Sequence, residues 1–104
     1  RYKGHMRYEV ATTALFDDWL ENQDVAVREM IATRIVRLES GLLGDHASVG
    51  DKVSELRFHA GAGYRVYYTI QGRVLVILLC GGTKGSQKRD IRKAKELSKD
   101  TAPR

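Results

Sequence analysis

The chain has 104 residues, of which 42% are hydrophobic and 30% are charged, with ten glycines, one proline and one cysteine. This length and composition predict one small globular domain. The longest apolar run, residues 74–80, is far shorter than the roughly 20 residues that a membrane-spanning helix needs, which excludes a transmembrane protein. The single cysteine, Cys80, excludes an internal disulfide and a multi-cysteine zinc site, so the cytoplasm is the expected compartment.

The formal net charge is +5. Two of the positive charges, Arg1 and Lys3, fall within residues 1–5, whose Gly-His junction with Met6 is typical of a cloning scar. We therefore assign residues 1–5 to an expression-tag remnant and residues 6–104 to a single domain. The remaining charge is moderately basic, which is consistent with an anionic partner such as nucleic acid.

The first half of the chain predicts one strand and two helices. Residues 8–10 favour a short strand, and the hydroxyl groups at 12–13 are suited to capping a helix that runs through residue 22. Residues 24–38 carry a cap and an apolar stripe at helical spacing, which predicts a second helix. Glycines and polar residues over 44–50 indicate a loop.

The second half predicts a sheet and a last helix. The runs 53–58, 64–71 and 74–80 have the period of strands and predict an antiparallel meander, while residues 86–99 favour a short helix. The fold class is therefore α+β, with two N-terminal helices packed on a small antiparallel sheet and a C-terminal helix. We expect the core to join helix residues Phe16, Trp19, Leu20, Ile31, Ile35 and Leu38 to strand residues Leu56, Phe58, Val66, Tyr68, Ile77 and Leu79.

Basic side chains are expected to meet at one end of this sheet. If the hairpin loop is 59–63, the register that keeps the apolar residues on one face places Arg57 directly opposite Arg65. Two opposed arginines repel unless an anion bridges them, so the pair is a candidate phosphate site, and Lys84 emerges beside it. In the alternative interpretation these are solvated charges, or Glu55 neutralises Arg57.

Other signals are weaker. The glycine-rich segment 81–86 lacks the spacing of an ATP-binding loop, and His46 and His59 have no partners at metal-ligand spacing, so no metal or cofactor is expected. Basic residues at the start of the last helix could extend a positive track along an RNA backbone. The candidate RNA-binding residues are His59, Tyr67, Lys88, Arg89 and Arg92.

Several segments of the chain together form a combination of residues that is specific for one protein family, although no single segment is specific by itself. They are residues 53–57, 61–67, 78–84 and 86–91, with supporting matches at 16–20, 34–38 and 44–45. In this combination the chain, from residue 6 to about residue 97, resembles the RelE/ParE superfamily of bacterial toxins. The most similar subgroup is that of the phage-derived, HigB-like addiction-module killer proteins.

The resemblance implies a toxin of a type II toxin-antitoxin system, neutralised by a cognate antitoxin that by analogy is a helix-turn-helix protein. Most characterised relatives of this subgroup are endoribonucleases that cut mRNA on the ribosome. In the RelE branch, basic residues of the sheet and of the loop before the last helix carry the chemistry. Matched onto this chain, those positions are Arg57, Arg65 and Lys84.

Metal-free RNA cleavage needs a deprotonated ribose 2′-hydroxyl, an aligned phosphorus and stabilisation of the charge that develops. We assign the charge stabilisation first to Arg65 and then to Arg57, because a guanidinium group can hold two phosphate oxygens. Lys84 is the candidate general base or acid, and His59 is its rival.

Two other functions remain open at this stage. One is a ParE-like protein that inhibits DNA gyrase and cuts nothing. The other is an inactive toxin-like module that binds an antitoxin for transcriptional autoregulation. The three basic residues favour the ribonuclease. We expect the antitoxin either to cover the basic face of the sheet or to displace the helix 86–99, whose apolar stripe is small.

Overall fold

A five-stranded sheet lies at the centre of the protein in the computed structural model, which describes residues 7–101. The elements in chain order are β1 (Glu9–Thr12), α1 (Ala14–Glu21), α2 (Val25–Glu39), β2 (His46–Gly50), β3 (Val53–Arg57), β4 (Tyr64–Gln71), β5 (Leu75–Thr83), a 3-10 turn (Lys84–Ser86) and α3 (Gln87–Thr101). None of the helices within 7–101 is long and apolar enough to cross a membrane. The tag assigned to residues 1–5 lies outside the described residues.

The sheet has the order β1-β5-β4-β3-β2. The predicted meander is confirmed, because β3, β4 and β5 pair antiparallel. The sheet is nevertheless mixed, since β1 pairs in parallel with β5. The predicted loop at 44–50 is wrong for residues 46–50, which form β2 and pair antiparallel with β3. β2 is an edge strand whose residues are small or polar and are each exposed or half-buried. Its sequence therefore lacks the hydrophobic pattern by which a strand is predicted.

The two N-terminal helices begin and end close to where the sequence predicts. The Thr13 hydroxyl accepts a hydrogen bond from the Phe16 amide at 3.0 Å and donates to the Leu79 carbonyl at 2.6 Å, which joins the start of α1 to β5. Asp24 precedes α2 as the cap residue, but its side chain makes no capping hydrogen bond. Gly41 follows the end of α2 with a φ of 89°, a conformation that favours glycine.

The sheet separates two apolar clusters, one under α1 and α2 and the other under α3. The first contains Phe16, Ile31, Leu38, Leu56, Phe58, Val66, Tyr68, Val76 and Leu78, and the second contains Val53, Tyr67, Ile77, Leu79, Cys80 and Ala94. The predicted packing of Ile77 and Leu79 under the N-terminal helices is therefore wrong. A register shift pairs Tyr67 with Cys80 but Tyr68 with Leu78, so Leu78 takes the place under the helices.

β5 is longer than predicted, because Gly81 and Gly82 continue the strand. A methyl group at Gly81 would overlap the indole ring of Trp19, and one at Gly82 would overlap the carboxylate of Asp90. These glycines therefore allow α1 and α3 to approach β5 from opposite faces.

Trp19 is expected to contribute strongly to stability, since its ring lies over Gly81 and its centroid is 6.0 Å from that of Phe16. Replacing it by alanine would leave a cavity, and we expect Trp19→Ala to lower the free energy of unfolding by about 3 kcal/mol. Denaturant midpoints measure the loss, with Leu15→Ala as the control because Leu15 is exposed on the same helix. Equal stability of the two variants would show that Trp19 is not part of the core.

Candidate functional site

Three basic residues lie together at one end of the sheet. The predicted register is confirmed, because Arg57 pairs with Arg65 across β3 and β4. Arg65 in turn pairs with Gly82 of β5, which places Lys84 just beyond the same end. The Lys84 amide donates to the Gly63 carbonyl at 2.8 Å, so the hairpin loop fixes the backbone of the 3-10 turn.

A buried carboxylate lies between the two arginines. Glu55 is 1% exposed, and its Oε2 accepts a hydrogen bond from Arg57 Nε at 2.8 Å. Its Oε1 accepts from Gln87 Nε2 at 2.8 Å and lies 3.9 Å from Arg65 Nε. The hydrogen bond to Glu55, and then the charge of Glu55, raise the pKa of Arg57 above its ordinary value. The bridging anion is thus part of the protein, as in the alternative interpretation of this pair.

Arg65 is not on an exposed polar face, because α3 covers this side of the sheet. Its side chain is 9% exposed, whereas that of Arg57 is 39% exposed. Arg65 Nη1 donates to the carbonyls of Gly63 at 3.2 Å and Tyr64 at 3.1 Å. Its buried Nε has no hydrogen-bond partner among the described residues. Arg65 therefore holds the hairpin loop from inside, and Arg57 faces solvent.

Tyr67 cannot stack on a base in this structure. Its side chain is fully buried in the cluster under α3, where it packs with Ala94. Burial raises the pKa of Tyr67, and its hydroxyl has no hydrogen-bond partner within residues 7–101. Strand alternation turns Tyr67 toward the covering helix, so the structure does not bring it to the surface where the sequence analysis placed a candidate RNA-binding residue.

His59 is exposed at the start of the hairpin loop and contacts Asp45. Its Nε2 lies within hydrogen-bond distance of Asp45 Oδ2, and the two side chains are 73% and 44% exposed. The hydrogen bond from His59 lowers the pKa of Asp45, and the charges of Arg57 and Arg34 act in the same direction. Asp45 is therefore ionised, and its carboxylate accepts the hydrogen bond from His59.

Arg34 of α2 holds this end of the sheet together, and the sequence analysis gave it no role. Its Nε donates to the Leu43 carbonyl at 3.0 Å, its Nη1 to the Arg57 carbonyl at 2.9 Å and its Nη2 to the Asp45 carbonyl at 2.6 Å. The guanidinium carbon lies 4.8 Å from the centroid of the Phe58 ring. One signal was present, since Arg34 follows the buried Ile31 by three residues and therefore faces the core.

A basic groove adjoins the arginine pair at the start of α3. It has a volume of about 530 Å³ and is lined by Lys84, Gly85, Ser86, Gln87, Lys88, Arg89 and Arg92. The four cations among these residues are exposed. Asp90 is 8% exposed; it accepts a hydrogen bond from the Ser86 hydroxyl and lies 3.5 Å from Arg89 Nε. The groove is therefore positive, and anions are its natural ligands.

The described residues place no three histidine, cysteine or acidic side chains close enough together to hold a metal ion. The lone cysteine lies in the core, as predicted, with Cys80 4% exposed and its Sγ 3.7 Å from the Asp90 carbonyl. The side chains that the described residues bring to the sheet end carry guanidinium, ammonium, imidazole and carboxylate groups.

Cys80 is expected to be unreactive in the folded protein. Burial raises the pKa of its thiol to about 12, so at pH 8 the folded protein contains almost no thiolate. We expect iodoacetamide to leave the native protein unmodified at pH 8 and to alkylate it fully in guanidinium chloride, as measured by intact mass. Rapid alkylation of the native protein would contradict the burial of this thiol.

Comparisons with known proteins agree with the architecture. Residues 18–99 match the family described as phage-derived protein Gp49-like. An uncharacterised protein of Haemophilus influenzae is 46% identical over 96 residues, covering 91% of this chain and 97% of that protein. These two similarities establish the family.

Solved structures show the same fold at low sequence identity. A mutant of E. coli RelE in the free state has a TM-score of 0.69 at 16% identity and covers 88% of this chain and 98% of its own. A chain of the intact E. coli RelBE toxin-antitoxin complex has a TM-score of 0.59 at 20% identity, with coverages of 73% of this chain and 95% of that chain. The chain belongs to the phage-derived Gp49-like family and has the fold of the RelE-like toxin superfamily, as its sequence resemblance predicted.

Proposed function

We propose that the protein is the toxin of a type II toxin-antitoxin system and that it inhibits translation by cutting ribosome-bound mRNA without a metal ion. The observation that carries this proposal is the convergence of Arg57, Arg65 and Lys84 at one sheet end that continues into the basic groove. Such a surface suits an RNA strand, because it offers one close phosphate site and cations for the neighbouring phosphates.

Arg57 is the residue best placed to bind the reacting phosphate. Its Nε is held by Glu55, and its Nη groups make no hydrogen bond to other described residues. A guanidinium group fixed in this way can present two donors to phosphate oxygens without losing much conformational freedom on binding. The sequence placed Arg65 first in this role. In the proposed site, the buried Arg65 adds positive charge near the phosphate and holds the hairpin loop through its hydrogen bonds to backbone carbonyls.

Lys84 is proposed as the general acid. In the reaction, the ribose 2′ oxygen forms a bond to phosphorus, the bond from phosphorus to the 5′ oxygen breaks, and a proton must reach that 5′ oxygen. The exposed Lys84 ammonium can donate this proton and stabilise the charge on the phosphate. The products are a 2′,3′-cyclic phosphate and a 5′-hydroxyl end.

The neighbouring cations Lys88, Arg89 and Arg92 are proposed to hold the RNA on one side of the cleaved bond. All three are exposed on the first turns of α3. Contacts of this kind carry no base specificity, and they weaken as salt displaces the counterions. The ribosome is then proposed to orient the mRNA, and the site of action is the cytoplasm.

A cognate antitoxin, proposed to be of the helix-turn-helix type, would neutralise the toxin. A chain of the solved E. coli RelBE toxin-antitoxin complex shares this fold. Covering the basic groove or displacing α3 would each remove the RNA surface. Displacement is feasible because the second cluster receives only one fully buried residue, Ala94, from α3.

Mapping of mRNA ends after induction tests the proposal. We expect growth arrest and new 5′ ends inside translated reading frames, and no such ends in a matched transcript that lacks a start codon. Intact mRNA together with stalled gyrase on DNA would support the ParE-like alternative and overturn the ribonuclease. Normal growth with intact mRNA would indicate an inactive antitoxin-binding module.

A further inference from the structure

The sheet order places two different proton-carrying groups on opposite sides of the arginine pair. Lys84 follows β5, whereas His59 follows β3 and leans toward Asp45, which precedes the edge strand β2. Neighbouring strands are about 4.8 Å apart, so β3 and β5 lie about 10 Å apart on either side of β4. Arg57 ends β3, two residues before His59, and Arg65 lies opposite it on β4, next to the strand that Lys84 follows.

Asp45 fixes the orientation of the His59 ring. The Asp45 backbone is itself held, because its carbonyl accepts hydrogen bonds from the Arg57 amide at 2.9 Å and from Arg34 Nη2 at 2.6 Å. An ionised carboxylate is only an acceptor, so the bonded nitrogen, Nε2, carries the ring hydrogen. In the neutral imidazole, the lone pair then lies on the Nδ1 of His59.

We propose that His59 is the general base of the reaction and that Asp45 is its positioning residue. This inference rests on the proposed ribonuclease function. The Nδ1 of His59 removes the proton of the ribose 2′-hydroxyl while the 2′ oxygen bonds to phosphorus, and Lys84 gives a proton to the departing 5′ oxygen. His59 ends protonated and Lys84 neutral, and exchange with water restores both.

The placement of the two groups matches the geometry of the step. In an in-line displacement the attacking and leaving oxygens lie on opposite sides of phosphorus, so the base and the acid must approach from opposite sides. A phosphate held over Arg57 would have His59 on the β2 side and Lys84 on the β5 side. Besides His59, the charged groups that act on Asp45 are the guanidinium groups of Arg57 and Arg34.

Single-turnover cleavage of mRNA on programmed ribosomes tests the dyad. We expect His59→Gln to lower the rate at least 100-fold, which is the lower range for loss of a general base. Asp45→Asn is expected to lower the maximal single-turnover rate about 10-fold with the half-saturating toxin concentration changed less than about 2-fold, since it misorients the base without removing a phosphate contact. His46→Gln is the matched control, because His46 is also exposed but contacts the Gly44 carbonyl at 2.8 Å instead of a carboxylate.

Two further measurements separate chemistry from structure. Added imidazole should restore cleavage to His59→Gly but not to Lys84→Ala. Nitrogen chemical shifts should show the Nε2-protonated tautomer of His59 in the wild type and a mixture in Asp45→Asn. If the wild type cleaves mRNA and His59→Gln stays within 3-fold of it, the dyad is refuted while the phosphate site stands. If the wild type does not cleave, the proposed function itself fails.

Discussion

Lys84→Ala and Arg57→Ala are each expected to lower ribosome-dependent mRNA cleavage at least 100-fold and to abolish growth arrest. Lys84 is exposed and Arg57 is partly exposed beside the proposed phosphate position, and removing one donor that stabilises a developing negative charge commonly lowers the rate by about 10²–10³. Lys99→Ala is the control, because Lys99 is an exposed lysine near the other end of α3. Rates come from primer extension on programmed ribosomes.

Stability should distinguish these variants from one another. Lys84→Ala should keep the wild-type denaturant midpoint, because the side chain is exposed. Arg57→Ala should lower the midpoint, since it deprives the buried Glu55 of a 2.8 Å hydrogen bond. Repulsion between two opposed arginines would by itself give the reverse, a slight stabilisation on removing a like charge opposite Arg65. Arg65→Ala should also destabilise, because Arg65 is buried beside the same carboxylate.

Lys84→Ala is therefore the cleanest probe of the site. A folded Lys84→Ala protein that cuts mRNA at the wild-type rate would show that Lys84 is not the general acid. If folded Arg57→Ala also cut normally, the phosphate site as a whole would be wrong, and gyrase inhibition would become the leading hypothesis.

The strand register could be predicted because it depends on side-chain alternation within one hairpin. Placing Leu56 opposite Val66 keeps both on the buried face, and that alone sets Arg57 opposite Arg65. The same reasoning fails across β5, where apolar residues occur on both faces and a register shift at Tyr67 and Tyr68 exchanges Leu78 for Leu79. Continuous hydrophobic runs contain no signal that locates such a shift.

The environment of the site could not be predicted, because it depends on contacts between distant elements. Gln87 of α3 donates to Glu55 of β3, and this contact closes the helix over Arg65 and Tyr67. Neither partner is apolar, so no hydrophobic period points to the contact. The sequence therefore predicted the pairing of Arg57 with Arg65 but not the burial of Arg65 under α3.

Arg34→Ala is expected to lower the free energy of unfolding by about 3 kcal/mol. The substitution removes three hydrogen bonds from a charged donor to backbone carbonyls and the stacking on Phe58. Hydrogen bonds to charged groups contribute roughly 1.5–3 kcal/mol each, but water can replace part of the loss at these partly exposed carbonyls. Arg37→Ala is the matched control, since Arg37 is exposed on the same helix. Denaturant unfolding measures both variants.

The stabilising effect of Arg34 depends on the shape of its guanidinium group and not only on its positive charge. The Leu43, Asp45 and Arg57 carbonyls belong to two separate chain segments, and only a planar guanidinium group presents donors to all three at once. Arg34→Lys should therefore recover less than half of the lost stability, and its cleavage rate should fall because Asp45 and Arg57 lose their common support. If Arg34→Lys were as stable and active as the wild type, charge and not geometry would hold the loop before β2 against the end of β3, and the positioning of Asp45 would need another explanation.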